Sequence, residues 1–260
     1  MEKRIIPFVD HEIGYRLLQK LILYSCKKKF KISAVVTTSN NKKAWWPSVD
    51  KLCLNENIPL YIYEEIHIID FLKLKPDWLL LLSWKYIIPY DIIKIPQKGI
   101  LNLHYGLLPA FRGVYPVNWS IIKGEKVSGF TYHFVNEKID DGDIFMQVKV
   151  PILLTDTART LQKRIDNTVC EYFDKFIDKL IAFNKKYSNK KKLNNLNKQE
   201  YYSRNKFKDI CALDLNANYR GSEFLNLLRG LTFLPDSKNA YFLDELTGKK
   251  IYISIALHEE

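Results

Sequence analysis

Residues 99–113 have the sequence GILNLHYGLLPAFRG, an apolar run that ends in an asparagine, a histidine and a tight turn. The run GILNL predicts a strand, and side chains two residues apart on a strand point to the same side. We therefore expect Asn102 and His104 to face one small volume, at a strand end that the turn through Gly106 and Pro109 exposes. An amide that polarises a carbonyl beside an imidazole that moves a proton indicates acyl transfer.

A second motif, EKIDDGDIF at 137–145, supplies carboxylates. A carboxylate such as Asp140, placed near the imidazole, would favour its protonated form. Three aspartates lie within four positions, at 140, 141 and 143, and such a cluster also fits a divalent metal. The residues alone leave a metal-binding loop and a substrate-contacting loop as alternatives.

Outward from these motifs, strand-like and helix-like segments alternate. Strands are predicted at 4–9, 31–38, 59–63, 77–83 and 99–103, and helices at 14–28, 49–58 and 66–74. This alternation predicts an α/β fold with an open, mostly parallel Rossmann-like sheet and helices on both faces. The first strand–helix loop, VDHEIGY at 9–15, lacks G-x-G-x-x-G, so it does not support a dinucleotide site. Ligands of such sheets bind at the carboxyl ends of strands, where Lys85, Asn102 and His104 lie.

The patterns along the whole chain predict three parts: a catalytic domain over 1–184, a basic linker at 185–199 and a small C-terminal subdomain at 200–260. Segments 128–135 and 144–152 predict an antiparallel pair, and 155–183 a long helix. The buried stripe of that helix is predicted to be Leu161, Ile165, Val169, Phe173, Phe176 and Leu180. A helix starting at 224 and a hairpin at 240–255 are too few residues for a separate core.

Composition narrows the class of protein. The chain has 260 residues, 47% of them hydrophobic, and four cysteines with no C-x-x-C pair, which favours a globular protein in a reducing compartment. We find neither a signal peptide nor the roughly 18 consecutive apolar residues of a membrane span, so a soluble, cytoplasmic protein is expected. The net charge of +11 fits either anionic small substrates or nucleic acid.

The motifs together resemble the formyltransferases that use N10-formyltetrahydrofolate. Their Asn-x-His, Leu-Leu-Pro, Arg-Gly and Asp-x-Gly-Asp-Ile elements stand here at 102–104, 107–109, 112–113 and 140–144. The resemblance implies catalytic roles for Asn102, His104 and Asp140, N10-formyltetrahydrofolate as formyl donor, and no metal. The folate contacts it implies are Tyr86, Ile87, Ile88, Asn136, Ile139 and Asp141. The acceptor contacts expected with them are Lys85, His11, Tyr105, Arg112 and Tyr115.

The C-terminal part resembles sugar N-formyltransferases that act on nucleotide-linked amino sugars. They carry an Arg-Ala-Leu-Thr-Phe-Pro-Pro stretch and an Ala-Tyr-Phe hairpin, matched here by RGLTFLP at 229–235 and AYF at 240–242. The resemblance implies an acceptor amine on a dTDP-linked 3- or 4-amino-dideoxy sugar, a place in surface polysaccharide (lipopolysaccharide O-antigen) biosynthesis, and a homodimer. The alternatives are an enzyme like methionyl-tRNA formyltransferase and a basic nucleic-acid-binding protein.

Several side chains stay open on sequence alone. His133, in TYHFV, fits a structural or a functional role, and His67, in an apolar helical pattern, fits a structural one. His11 and Lys85 fit contacts to an anionic ligand, but each also fits a residue with no such contact. Trp45-Trp46 fits base stacking, an interface or packing under its own loop.

Overall fold

The computed structural model describes residues 2–28, 30–39, 47–184 and 200–259. The chain forms two compact units, one within 1–104, 132–146 and 169–194, the other within 105–131, 147–168 and 195–260. The predicted basic linker at 185–199 and the Trp45-Trp46 pair lie outside the described residues. The predicted domain division therefore stays a prediction.

The first part of the chain alternates short strands and helices. The strands are β1 (Lys3–Val9), β2 (Phe30–Ile32), β3 (Val35–Thr37), β4 (Leu60–Ile62), β5 (Trp78–Leu82) and β6 (Gly99–His104). The helices are α1 (His11–Lys28), α2 (Val49–Asn55), α3 (Ile68–Leu74) and α4 (Tyr90–Ile93). His67 is the N-cap residue of α3, where its backbone amide donates to Asp70 Oδ2 at 3.1 Å, and its structural role stays a prediction.

The next elements are β7 (Arg112–Gly113), α5 (Pro116–Ile122), β8 (Val127–Phe134), β9 (Ile144–Pro151) and α6 (Ala158–Ala182). The main sheet has the order β4-β3-β1-β5-β6-β8-β9, with β2 also paired to β1. Its pairs β1–β2, β1–β3, β1–β5, β3–β4 and β5–β6 are parallel. The predicted open, mostly parallel α/β sheet is therefore confirmed.

The predicted strand at 31–38 is wrong in one respect, because the chain forms two strands there. The Ser33 amide donates to Ile5 of β1 at 3.0 Å, whereas the Val35 amide donates to Pro59, just before β4, at 2.8 Å. Both strands pair with β1, Ile32 opposite Ile5 and Val36 opposite Phe8, so the register shifts by one residue between them; this shift ends β2 and begins β3, which also pairs with β4.

The core of the first unit follows the apolar patterning. All five residues of β5, WLLLL, are buried, as expected for a strand covered on both faces. Phe8 of β1 stacks on Phe71 of α3 with ring centroids 5.8 Å apart. In α6, whose residues belong partly to each unit, all six residues predicted as the buried stripe are fully buried, and burial of each such side chain contributes about 1.5–3 kcal/mol.

The second unit continues with β10 (Tyr201–Tyr202), α7 (Arg204–Asp209), α8 (Gly221–Gly230) and the hairpin strands β11 (Tyr241–Leu243) and β12 (Lys250–Tyr252). Helix α8 packs on α5, where Asn118 donates to the Gly230 carbonyl at 2.8 Å. A Cβ at Gly230 would lie 2.9 Å from the Asn118 carbonyl oxygen, so the close approach requires glycine there. Among the described residues, no helix has both the length and the apolar character needed to cross a bilayer.

Candidate active site

The first group of candidate residues lies at the end of β6 and in the loop 135–143 that joins β8 to β9. The structure brings His104 and Asp140 together, with His104 Nδ1 3.5 Å from Asp140 Oδ2. The His104 side chain is 5% exposed and that of Asp140 12% exposed. Their electrostatic interaction is consequently screened less by solvent than that of a surface pair.

Asn102 is connected to this group through His133, whose role the sequence left open between structural and functional. Its Nδ2 lies 3.1 Å from His133 Nε2, and the same ring nitrogen lies 3.4 Å from Asp140 Oδ1. His133 lies on β8, which neighbours β6 in the sheet, and its side chain is 2% exposed. No local signal distinguishes it from a core histidine, since its role depends on which strand lies beside β8.

The loop that carries Asp140 is held close to β8. Its backbone at Asp140 is left-handed, with φ 50°, and the Phe134 amide donates to the Asp143 carbonyl at 2.9 Å. A Cβ on Gly142 would lie 2.7 Å from the Phe134 carbonyl carbon and would overlap its oxygen. Glycine in the Asp-x-Gly-Asp motif is thus required by the approach of the loop to the strand.

A second group lies at the carboxyl ends of β1, β3 and β5. Lys85 Nζ is 2.9 Å from Asp10 Oδ2, and Thr38 Oγ1 is 3.4 Å from the same oxygen. Ser83 Oγ and His11 Nδ1 are 3.3 Å apart. Desolvation lowers the pKa of His11, with nearby Lys85 acting in the same direction and Asp10 opposing it. Sequence reasoning missed Asp10, although a carboxylate directly after the first strand was a signal.

Lys85 therefore has a protein partner as well as access to solvent. The Asp10 side chain is 4% exposed, while that of Lys85 is 32% exposed. The buried carboxylate holds the ammonium group at the strand ends, and the exposed part of the side chain leaves room for a second anion. The predicted phosphate contact by Lys85 remains a prediction.

The predicted folate residues differ in accessibility. Tyr86, Ile87 and Ile139 are 38%, 75% and 41% exposed, so a ligand can reach their side chains. Ile88 is 5% exposed and belongs to the apolar core, so only its main chain is placed to contact a ligand. Asn136 and Asp141 are partly buried. Folate contacts at all six positions stay predictions.

The three remaining predicted acceptor residues lie in the second unit. The Tyr105 hydroxyl donates to Asp166 Oδ1 at 2.7 Å, and Arg112 belongs to β7, which pairs with β10. The Tyr115 ring stacks on Phe207 with centroids 4.2 Å apart.

Tyr115 also lines a cavity of about 520 Å³ in the second unit. Aromatic rings and cationic side chains dominate its wall. The aromatic residues are Tyr115, Phe207, Phe233, Tyr241 and Tyr252, and the cationic residues are Arg204, Lys208, Lys238 and Lys250. We call this the aromatic–cationic cavity. Such a wall suits a ligand with a flat ring and negative charge.

The three aspartates of the loop raised the alternative of a metal site. Across the part of the chain that the structure describes, no group of three or more His, Cys, Asp or Glu side chains is arranged to hold a metal ion.

Comparison with known proteins identifies two matching families along the chain. Residues 59–174 match the family described as formyl transferase, and residues 206–259 match the N-formyltransferase dimerization C-terminal domain.

Curated relatives carry several names. The bifunctional polymyxin resistance protein ArnA of Wigglesworthia glossinidia brevipalpis is 40% identical over 62% of this chain and 25% of its own length. The methionyl-tRNA formyltransferase of Thermodesulfovibrio yellowstonii is 32% identical over 69% of this chain and 60% of its own length. That of Clostridium perfringens is 32% identical over 87% of this chain and 74% of its own length. The chain thus spans less than two thirds of the first two relatives.

Solved structures match over more of their length. A sugar N-formyltransferase from Shewanella sp FDAARGOS_354 superposes with a TM-score of 0.76 and 25% identity, covering 99% of both chains. An N-formyltransferase from Helicobacter canadensis, in complex with folinic acid and dTDP-3-aminofucose, gives a TM-score of 0.69 and 26% identity, covering 90% of this chain and 81% of its own. The family matches, the relatives and the shared fold together show that this chain belongs to the formyl transferase family.

Proposed function

We propose that this enzyme transfers the formyl group of N10-formyltetrahydrofolate to the amine of a dTDP-linked 3- or 4-amino-dideoxy sugar. The observation that carries the choice of acceptor is the aromatic–cationic cavity of the second unit. A nucleoside diphosphate offers a base that stacks on aromatic rings and two phosphates that pair with Lys and Arg. The same chemistry would retain a nucleotide sugar in this unit.

Two solved structures support this acceptor class. The Shewanella protein is described as a sugar N-formyltransferase, and the Helicobacter canadensis protein holds dTDP-3-aminofucose. Both are at least 25% identical to this chain. The second supports thymine as the base.

In the proposed mechanism the sugar amine, as the free base, attacks the formyl carbon. A bond forms between the amine nitrogen and that carbon, the bond from the carbon to N10 breaks, and one amine proton is lost while N10 gains one. Asn102 donates to the oxyanion of the tetrahedral intermediate, and His104 takes or relays the proton. Asp140, 3.5 Å from the His104 ring, stabilises the imidazolium that forms.

A second candidate has its own support. Methionyl-tRNA formyltransferases are 32% identical to this chain over 87% of its length, which favours an aminoacyl-tRNA acceptor. The net charge of +11 is compatible with both, because tRNA and nucleotide sugars are anionic.

The test offers the competing acceptors to the purified enzyme with N10-formyltetrahydrofolate. The panel contains dTDP-linked 3-amino and 4-amino sugars, their UDP and GDP counterparts, and methionyl-tRNA, and mass spectrometry detects the formylated product. We expect a formylated dTDP-amino sugar. Formylation of methionyl-tRNA with no sugar nucleotide modified would overturn the proposal, as would salt-sensitive nucleic-acid binding without any transfer.

A pair of lysine variants tests the cavity. Lys208 is an exposed residue of the cavity wall, while Lys51 is an exposed helical lysine of α2 outside it. We expect Lys208→Ala to raise the KM for the sugar nucleotide several-fold and Lys51→Ala to leave it unchanged, because only the first removes a cation from the cavity wall. Equal KM values for the two variants would contradict nucleotide binding in the cavity.

We also propose that the enzyme is a homodimer, works in the cytoplasm and contributes to surface polysaccharide biosynthesis, including that of lipopolysaccharide O-antigen. The match of 206–259 to a dimerization domain supports the first of these. Leu243, Leu246 and Ile251 of the hairpin are 57%, 96% and 43% exposed, an apolar surface suited to burial against a second copy. Sedimentation of the wild type and of Leu246→Lys measures the oligomeric state, and we expect the variant to be monomeric.

A further inference from the structure

His133 lies at the centre of the candidate active site, and none of the proposed chemical steps uses it. Its Nε2 is 3.1 Å from Asn102 Nδ2 and 3.4 Å from Asp140 Oδ1. Its ring and that of His104 are nearly perpendicular, at 82°, with centroids 6.2 Å apart. A buried imidazole that reaches two members of the proposed triad is placed to control their orientation.

The other ring nitrogen determines the tautomer. His133 Nδ1 is 2.8 Å from the backbone carbonyl oxygen of Phe134. A carbonyl oxygen can only accept, so Nδ1 carries the hydrogen. In the neutral ring Nε2 then has a lone pair and no hydrogen, and it acts as an acceptor.

This tautomer in turn determines which way the Asn102 amide points. Only the NH2 group of the amide can donate to an unprotonated Nε2, so Nδ2 faces His133 and Oδ1 faces away from it. One hydrogen of Nδ2 is used by His133, and the second remains for an oxyanion. With the amide turned over, its oxygen would replace the donor and repel the developing negative charge.

We propose that His133 is a positioning residue for formyl transfer: as the neutral Nδ1–H tautomer it accepts from Asn102 and so presents the remaining amide N–H to the oxyanion. The inference rests on the proposed role of Asn102. An unprotonated Nε2 also offers no hydrogen to Asp140. Although Asp140 Oδ1 lies 3.4 Å from Nε2, the carboxylate therefore has no hydrogen bond to His133, and its Oδ2 faces His104 Nδ1 at 3.5 Å.

Two substitutions of similar size separate this role from simple packing. The terminal amide of glutamine reaches about as far as Nε2 of histidine, so His133→Gln keeps an acceptor for Asn102. Asparagine reaches only about as far as Nδ1, so His133→Asn keeps a donor for Phe134 and loses the contact with Asn102. We expect kcat within about threefold of wild type for His133→Gln, and at least about tenfold lower with unchanged KM for His133→Asn.

NMR spectroscopy of the free enzyme tests the tautomer directly and requires no formyl-acceptor substrate. Nitrogen-15 shifts of the His133 ring report which nitrogen carries the hydrogen, and we expect Nδ1–H in the free wild-type enzyme. Hydrogen on Nε2, whether the ring is neutral or protonated, or equal kcat for the two variants, would overturn the inference. If no panel acceptor is formylated, the proposed function fails while the tautomer can still be determined, so the two failures are distinguishable.

Discussion

Gly142→Ala tests whether the placement of the Asp140 loop is essential. The added Cβ would lie 2.7 Å from the Phe134 carbonyl carbon and nearer still to its oxygen. Carbon atoms pack at about 3.5–4.0 Å, so the loop would have to retreat by roughly 0.8 Å or more. A displacement of about 1 Å in a catalytic group costs up to about a hundredfold in rate, equivalent to about 2.7 kcal/mol of transition-state stabilisation.

The assay measures kcat/KM for formyl transfer together with urea unfolding. Gly221→Ala is the matched control, because a Cβ there meets nothing within 4 Å and Gly221 begins a helix. We expect kcat/KM to fall about a hundredfold for Gly142→Ala and to stay unchanged for Gly221→Ala. Wild-type turnover by a folded Gly142→Ala enzyme would refute the argument that the close approach of loop and strand positions Asp140.

Three further predictions concern charged residues. Asp140→Asn keeps the side-chain shape and should lower kcat/KM at least about tenfold. It should also move the acid limb of the pH–rate profile to lower pH, because the protonated His104 ring loses the carboxylate that stabilises it. Asp141→Asn should lower kcat/KM much less. Lys85→Ala should raise the KM for the sugar nucleotide and leave that for folate unchanged. It should also lower the free energy of unfolding by about 1–3 kcal/mol, since the buried Asp10 carboxylate loses the cation that pairs with it. In the double variant Lys85→Ala/Asp10→Asn the unpaired carboxylate is removed, so the free energy of unfolding should recover while the KM for the sugar nucleotide stays raised. Arg229→Met, which removes a buried guanidinium that donates to two backbone carbonyls, should lower the free energy of unfolding by about 3 kcal/mol in urea titrations.

The fold class followed from local patterns. The alternation of apolar runs and helical spacing predicted the parallel sheet, and the stripe of α6 was predicted residue by residue. These predictions succeeded because burial on one helix face or along a covered strand is a property of a few consecutive residues. The break between β2 and β3 was missed because it depends on hydrogen-bonding partners distant in the sequence.

The residues of the candidate site were likewise predictable from local sequence, whereas the contacts between them were not. The spacing of Asn102 and His104 on one strand and the carboxylate of Asp140 were visible in the sequence as motifs, and so was the lysine after β5. The partners of these residues were not visible, since Asp10 reaches Lys85, and His133 reaches Asn102, only through the order of strands in the sheet.

The sequence by itself determined the fold class, the formyltransferase motifs and the residues that carry the proposed chemistry. Only the tertiary structure decided which side chains touch them, and with that the tautomer of His133, the orientation of Asn102 and the requirement for Gly142. The physical reason is that strand pairing and the packing of loops join residues tens of positions apart. Hydrogen-bond geometry and steric overlap are therefore fixed by which segments become neighbours, and no short sequence pattern encodes them.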